Sequence, residues 1–256
     1  MILYFSGTGN TKFVAEALAD ALRDDLVNMA DYTRSGETLS VRSERPFIFL
    51  APIYAWRYPR VVEELIRKAE LSGSNAVYCI ATRESQSGTA AKYMQKIITA
   101  KGLDFKGFTS VNMPNHYPLA SSLSAPEETR RYLENILPEL DRLAARIQKG
   151  EHLMDRGNVV LPGFMSGPVN AAFYRFLISS KGFKVSDTCI GCGACARRCP
   201  MGNIEMRDGL PRFGDKCTWC FGCIQYCPKA AIDMKGRTEG KSRGTCPTYQ
   251  SMKAKY

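Results

Sequence analysis

No run of this 256-residue chain is apolar for the length that a membrane span needs, so no spanning segment is expected. The chain does not open with the charged start, apolar core and small-residue cleavage site of a secretory leader. A reduced, cytoplasmic setting is therefore the expectation. There is no GxGxxG turn and no Walker lysine motif, which argues against a dinucleotide or triphosphate site and against NAD(P)H as the direct reductant. No basic helix or basic–aromatic motif is present either, so nucleic acid is not an expected partner. Histidine is scarce, with His116 and His152 alone. Cysteine is scarce outside one segment, since eight of the ten lie within residues 189–227.

What is present begins with alternation. Residues 1–5 (MILYF), 46–51 (PFIFLA) and 76–82 (AVYCIAT) read as short buried strands, and a further strand is expected over roughly 105–113. Between them, Phe13, Val14, Ala17, Leu18, Ala21 and Leu22 line one helical face, Val61 to Ala69 a second, and Ala90 to Ile98 a third. A long helix is expected over about 126–149, bent near Pro138. Strand–helix alternation of this kind predicts an α/β fold with a parallel sheet covered on both faces. Pro162, Gly163, Gly167 and Pro168 break the segment after it, and Val169 to Ile178 reads as a helix packed between modules.

The first turn is Ser6-Gly7-Thr8-Gly9-Asn10-Thr11, which leaves a strand and opens a helix. Its hydroxyls, its backbone N–H groups and the helix dipole suit a phosphate. Strand, S-G-T-G-N-T, helix resembles the FMN phosphate loop of flavodoxins, and that resemblance implies a doubly wound parallel sheet of order 2-1-3-4-5. It also implies that the flavin ring lies between two later loops. The first is Ala51 to Trp56, in which Pro52, Tyr54, Ala55 and Trp56 are the candidates and Tyr54 and Trp56 would cover a ring face. The second runs from Ala81 to Gly88, with Thr82 and Gly88 as candidates. It lacks the aromatic that short flavodoxins often carry, which leaves the second ring face to a cluster or a substrate. A further loop, Met113 to Pro118, resembles an M-P-x-x-Y loop in flavodoxin–ferredoxin fusions and adds Asn115 and Tyr117. The cofactor-binding set is thus Ser6, Thr8, Gly9, Asn10, Thr11, Pro52, Tyr54, Ala55, Trp56, Thr82, Gly88, Asn115 and Tyr117. His116 reads as a locally satisfied loop residue, Cys79 as an inert core thiol, and His152 carries no information.

Cys189, Cys192, Cys195 and Cys199 precede Pro200, and Cys217, Cys220, Cys223 and Cys227 precede Pro228. This C-x2-C-x2-C-x3-C-P string, written twice, is the two-cluster [4Fe–4S] ferredoxin pattern. Zinc sites show paired CxxC motifs, often with histidine, and a disulfide framework would imply secretion. In the two-cluster pattern the fourth cysteine of each run crosses over, so one cluster takes Cys189, Cys192, Cys195 and Cys227 and the other Cys217, Cys220, Cys223 and Cys199. Ile204 and Ile232 fall at equivalent places in the repeat and should cover the clusters from small hairpins.

The whole order resembles the flavodoxin–ferredoxin fusion family. It implies a flavodoxin-like FMN-binding domain over 1–150, an apolar connector over 151–185, a small α+β two-cluster ferredoxin domain over 186–236 and a basic tail over 237–256. FMN and two [4Fe–4S] clusters are the implied cofactors. The implied role is electron transfer, with a redox protein such as a ferredoxin as partner and ferredoxin-dependent reduction of a small-molecule substrate as the leading activity. A non-catalytic carrier between proteins is the alternative, and no catalytic residue or oligomeric state follows. The net charge of +10 balances these anionic groups in part. The tail's Lys235, Arg237, Lys241, Arg243, Lys253 and Lys255 read first as a solvated extension and second as a docking surface for an acidic donor. Cys246 has no assigned role.

Overall fold

The computed structural model describes residues 1–119, 123, 125–155, 161–241 and 243–253. Seven strands lie in the first half of the chain: β1 (Ile2–Tyr4), β2 (Leu26–Asn28), β3 (Ser40–Ser43), β4 (Phe47–Pro52), β5 (Glu70–Gly73), β6 (Ala76–Arg83) and β7 (Asp104–Asn112). β2-β1-β4-β6-β7 form one parallel sheet, which is order 2-1-3-4-5 when only its own strands are counted. β2 was not anticipated, being three residues at a half-exposed edge. Nor was the parallel pair β3–β5, which lies outside the main sheet.

Five helices cover the sheet: α1 (Asn10–Leu22), α2 (Met29–Ser35), α3 (Arg60–Lys68), α4 (Ala90–Ala100) and α5 (Pro126–Gln148), the last with Pro138 inside it. Strand side chains alternate between two cores, as a period of two requires. Ile48 and Leu50 pack with Phe13, Leu18, Leu133 and Leu140 from α1 and α5. Phe47 and Phe49 pack with Met29, Val62, Ile66 and Met94 from α2, α3 and α4. Cys79 is buried in this second core, which raises its pKa. Tyr58, fully buried, holds its hydroxyl 3.0 Å from the Phe49 carbonyl and 2.7 Å from that of Ile80.

The connector departs from expectation. Helical backbone runs over 162–177 (α6), alternating α and π turns. It starts at Pro162, whose missing N–H costs nothing at a first helical position. Gly167 and Pro168 do not break it, because a π turn over Met165–Val169 accommodates the lost donor.

In the C-terminal part, β8 (Phe183–Val185) pairs antiparallel with β11 (Ile232–Met234), and β9 (Ile204–Arg207) with β10 (Leu210–Phe213). Ile204 therefore sits in a hairpin, but Ile232 lies in a strand closed by the distant β8. Both are buried beside Cys195, Cys199, Cys223 and Cys227. The tail is not a solvated extension in its described part. Tyr249–Lys253 lies on α1, with Lys253 Nζ 2.7 Å from Asp20, the Tyr249 ring edge-on to Phe13 and Met252 buried. Lys255 lies outside the described residues. No described helix is long and apolar enough to cross a membrane.

Candidate functional site

The carboxyl ends of β1, β4 and β6 open on a crevice at the point where strand order reverses, the usual ligand position in such sheets. A cavity of about 390 Å³ occupies it. Ser6, Thr8, Asn10, Thr11, Pro52, Tyr54, Ala55, Trp56, Thr82, Asn115 and Tyr117 all line this cavity. Gly9 and Gly88 stand behind it instead. The Gly9 amide donates to Ser6 Oγ at 3.2 Å, and a Cβ on Gly88 would meet Trp56 Cβ at 2.6 Å.

Gly9 caps α1 at φ 106° and no side chain caps the helix, so the first-turn amides are left for a ligand. Thr11 Oγ1 lies 2.7 Å from Thr82 Oγ1, which joins the β1 turn to β6. Asn10 Nδ2 donates to the Pro114 carbonyl at 2.8 Å, while its buried Oδ1 has no partner among the described residues. The free first-turn amides and the hydroxyls of Ser6, Thr8 and Thr11 are neutral donors at a helix start, a chemistry that fits a phosphate.

The loop after β4 is a tight reversal. Tyr54 N donates to the Arg57 carbonyl at 2.8 Å, and Ala55 (φ 46°) and Trp56 (φ 65°) between them are both left-handed. Left-handed backbone is the requirement of a two-residue turn of this kind, usually met by Asn-Gly, and is costly for Ala and Trp. α6 compensates. Asn170 Nδ2 donates to the Ala55 carbonyl at 2.8 Å, and Ser166 Oγ donates to that of Trp56 at 3.0 Å. Asn170 Oδ1 accepts twice from Arg60 at 3.0 Å. Ser166 and Asn170 were missed in the sequence, where they read as polar residues in an apolar connector. Only their full burial shows what they do.

The second half of the chain completes the cavity. Phe173, Thr218, Trp219, Cys220 and Phe221 line it, so the chain's two tryptophans, Trp56 and Trp219, border the same space. The aromatic absent from the Ala81–Gly88 loop is thus supplied by the cysteine-rich part. The two loops touch through backbone: a Cβ on Gly7 would lie 2.7 Å from Cys220 Cβ, and one on Gly222 would lie 2.7 Å from the Gly7 carbonyl oxygen. Burial, then the nearby Cys220, pushes the Tyr54 phenol pKa well up.

His116 corrects its expected reading. Its carbonyl accepts from Gln225 Nε2 at 2.8 Å, but its buried Nδ1 has no partner among the described residues. Burial lowers the imidazole pKa to about 4. Cys246 also has a position, buried against Gly9 with its amide donating to the Thr8 carbonyl at 3.0 Å.

Cys189, Cys192, Cys195 and Cys227 line a second, smaller cavity floored by Ile232. Cys217, Cys220 and Cys223 lie near Cys199, and burial first, then these neighbours, raise their pKa values, to about 11 for Cys217 and about 12 for Cys220. Backbone N–H groups donate to sulfur at Cys199 (3.3 Å, from Asn203), Cys217 (3.4 Å, from Trp219) and Cys227 (3.2 Å, from Ala231). Such bonds stabilise thiolates and tune cluster potentials. Among the described residues no three His, Cys, Asp or Glu side chains close on a single metal ion. Four thiols around one cavity, with the other four close to one another, suit the separated corners of an iron–sulfur cluster.

The fold and this site define a flavodoxin-like α/β protein carrying an iron–sulfur module. Residues 1–113 match the model of the flavodoxin domain and residues 181–228 that of the 4Fe–4S dicluster domain. The chain therefore joins these two domains. It is an electron-transfer flavo-iron–sulfur protein, in which the first domain implies FMN and the second iron–sulfur clusters. No match is found among curated proteins. Among solved structures, the chain is similar to general stress protein 14 of Treponema denticola in complex with FMN (10% identity, 57% of this chain and 98% of that one, TM-score 0.40). It is also similar to Megasphaera elsdenii flavodoxin (19% identity, 57% and 99%, TM-score 0.34) and to the Trp repressor binding protein of Bacillus subtilis (16% identity, 56% and 97%, TM-score 0.35).

Proposed function

We propose that this protein takes single electrons from a one-electron carrier protein such as a ferredoxin, passes them through two [4Fe–4S] clusters to FMN, and reduces a small substrate beside the flavin. The observation that carries this reading is the close approach of Gly7 to Cys220 and Gly222, where a Cβ on either glycine would lie within 2.8 Å of the facing loop. FMN when bound takes up two electrons, singly if needed, and an iron–sulfur cluster passes one at a time.

In this reading the turn Ser6–Thr11 holds the phosphate, and Tyr54 and Trp56, on the turn clamped by α6, orient the ring. Thr82, Asn115 and Tyr117 bound its polar edge. Cys199, Cys217, Cys220 and Cys223 hold the cluster next to the flavin. Cys189, Cys192, Cys195 and Cys227 hold the outer one, where exposed Ile190 and Cys192 give a carrier access. The division 1–150, 151–185, 186–236 and 237–256 serves this reading.

The test starts from protein purified without oxygen. About one FMN and about eight irons per chain are expected. Rapid mixing with reduced ferredoxin should bleach the clusters before the flavin. Gly7→Ala should slow the second phase while leaving the first unchanged. Iron without flavin, or flavin reduced first, overturns the reading. The six aromatic rings at the cavity (Tyr54, Trp56, Tyr117, Phe173, Trp219 and Phe221) favour a second one, in which the flavin is shielded and the protein only carries electrons between partners. Fast exchange with two carrier proteins, without turnover in a substrate screen, would select it.

A further inference from the structure

The connector helix α6 wears its apolar side outward. Its polar residues Ser166 and Asn170 are fully buried against the turn at Ala55–Trp56, whereas Leu161, Phe164, Phe176 and Leu177 are 69%, 57%, 74% and 54% exposed. The positions between them that face outward, Pro168, Ala171 and Ala172, are small and carry no hydrogen-bonding side chain. A surface helix of a globular protein shows the reverse arrangement. Four of the nine large exposed hydrophobic residues among those described thus come from this one segment. Apolar exposure so concentrated marks an interaction surface.

The charge around it selects the partner. No acidic residue occurs from Arg156 to Ser186, and the charged residues there, Arg156, Arg175, Lys181 and Lys184, are all basic. Arg175 in the last turn of the helix and Lys181 just beyond it are exposed. A protein interface ordinarily has a polar rim of both signs. An apolar face of Leu and Phe with only cations in the stretch of chain between Asp155 and Asp187 is the composition of a helix lying in the headgroup region of an anionic bilayer. We infer that the outer face of α6 docks this protein on an anionic lipid surface, with Phe164 and Phe176 inserted among the headgroups and Arg175 and Lys181 against lipid phosphates. The same helix holds the cavity's turn with its inner face, so docking sets the orientation of the cavity relative to the bilayer. The inference is independent of which electron route operates.

The experiment is flotation of the full-length holoprotein, purified without oxygen, with vesicles of phosphatidylcholine containing one third phosphatidylglycerol and with vesicles of phosphatidylcholine alone. Binding to the anionic vesicles is expected, weakening as salt rises. The double variant Phe164→Ser, Phe176→Ser should lower partitioning by about tenfold or more, since two aromatic side chains leave the interface. Arg175→Glu with Lys181→Glu should reduce binding to the level seen with neutral vesicles. All four side chains are exposed, so unchanged cofactor absorbance and thermal unfolding verify that each variant is folded. Absence of binding to anionic vesicles overturns the inference, as does binding that both variants retain. A dimer that the Phe variants dissolve, without lipid binding, overturns it in favour of a second copy on this face.

Discussion

Gly7 and Gly222 are small because each faces the other's chain. A methyl group at Gly7 would stand 2.8 Å from the Cys220 carbonyl oxygen, a contact with backbone that no rotamer change can relieve. His116 is the other residue whose surroundings set its chemistry. Burial holds its imidazole neutral, with the pKa lowered from 6.5 to about 4. Between those values the unfolded chain binds a proton that the folded chain does not, so stability is lost as pH falls through this window, at up to about 1.4 kcal/mol per pH unit. Chemical denaturation of the wild type and of His116→Gln between pH 7 and pH 5 checks this. The wild type should lose stability more steeply on acidification, and parallel curves would show that His116 is not the group responsible.

At the scale of elements, α6 is a brace for a strained turn. Ala55 and Trp56 both sit in left-handed backbone, and nothing in their own side chains favours it. The turn persists because Asn170 and Ser166 hold its two carbonyls. Asn170→Ala removes a donor to the Ala55 carbonyl and the acceptor for Arg60, leaving buried polar groups unmatched, and should cost about 1–3 kcal/mol. Thermal unfolding measures the loss, and flavin fluorescence titration should show weaker retention of FMN. Unchanged flavin affinity in a destabilised Asn170→Ala protein would separate the brace from the site. The tail acts similarly on the phosphate turn, since Cys246 backs Gly9 while Tyr249 and Lys253 fasten the segment to Asp20.

Across the whole molecule, the two domains are joined at several independent points. Arg34 Nε donates to the Cys199 carbonyl at 3.2 Å, Thr33 Oγ1 to that of Pro200 at 2.5 Å, and Gln225 Nε2 to that of His116 at 2.8 Å. Cys199 and Gln225 belong to segments whose order depends on the cysteines. A metal site assembled on folding contributes its binding energy to that folding. Removing iron with a chelator, without oxygen, should therefore loosen the cavity wall formed by Trp219, Cys220 and Phe221 and weaken FMN binding by about tenfold. Flavin fluorescence during chelation reads this directly. Equal FMN affinity with and without iron would show that the first domain builds its site alone.

The sequence by itself determined what repeats or alternates along the chain. The apolar strands and amphipathic helices specified the doubly wound sheet, because burial on both faces leaves a continuous apolar run. The doubled cysteine string marked an iron–sulfur domain through spacing alone. The Ser6–Thr11 turn at the cavity was legible because strand, glycine–hydroxyl turn and helix are neighbours in the chain. Only the tertiary structure decided what lies far apart in sequence. Ser166 and Asn170 reach Trp56 and Ala55 across 110 and 115 positions. Trp219 borders the same cavity as Trp56, more than a hundred residues earlier, and the tail returns to α1. Such contacts have no period and no local spacing, since they follow from how two independently patterned domains meet, and that meeting is set by shape and backbone proximity.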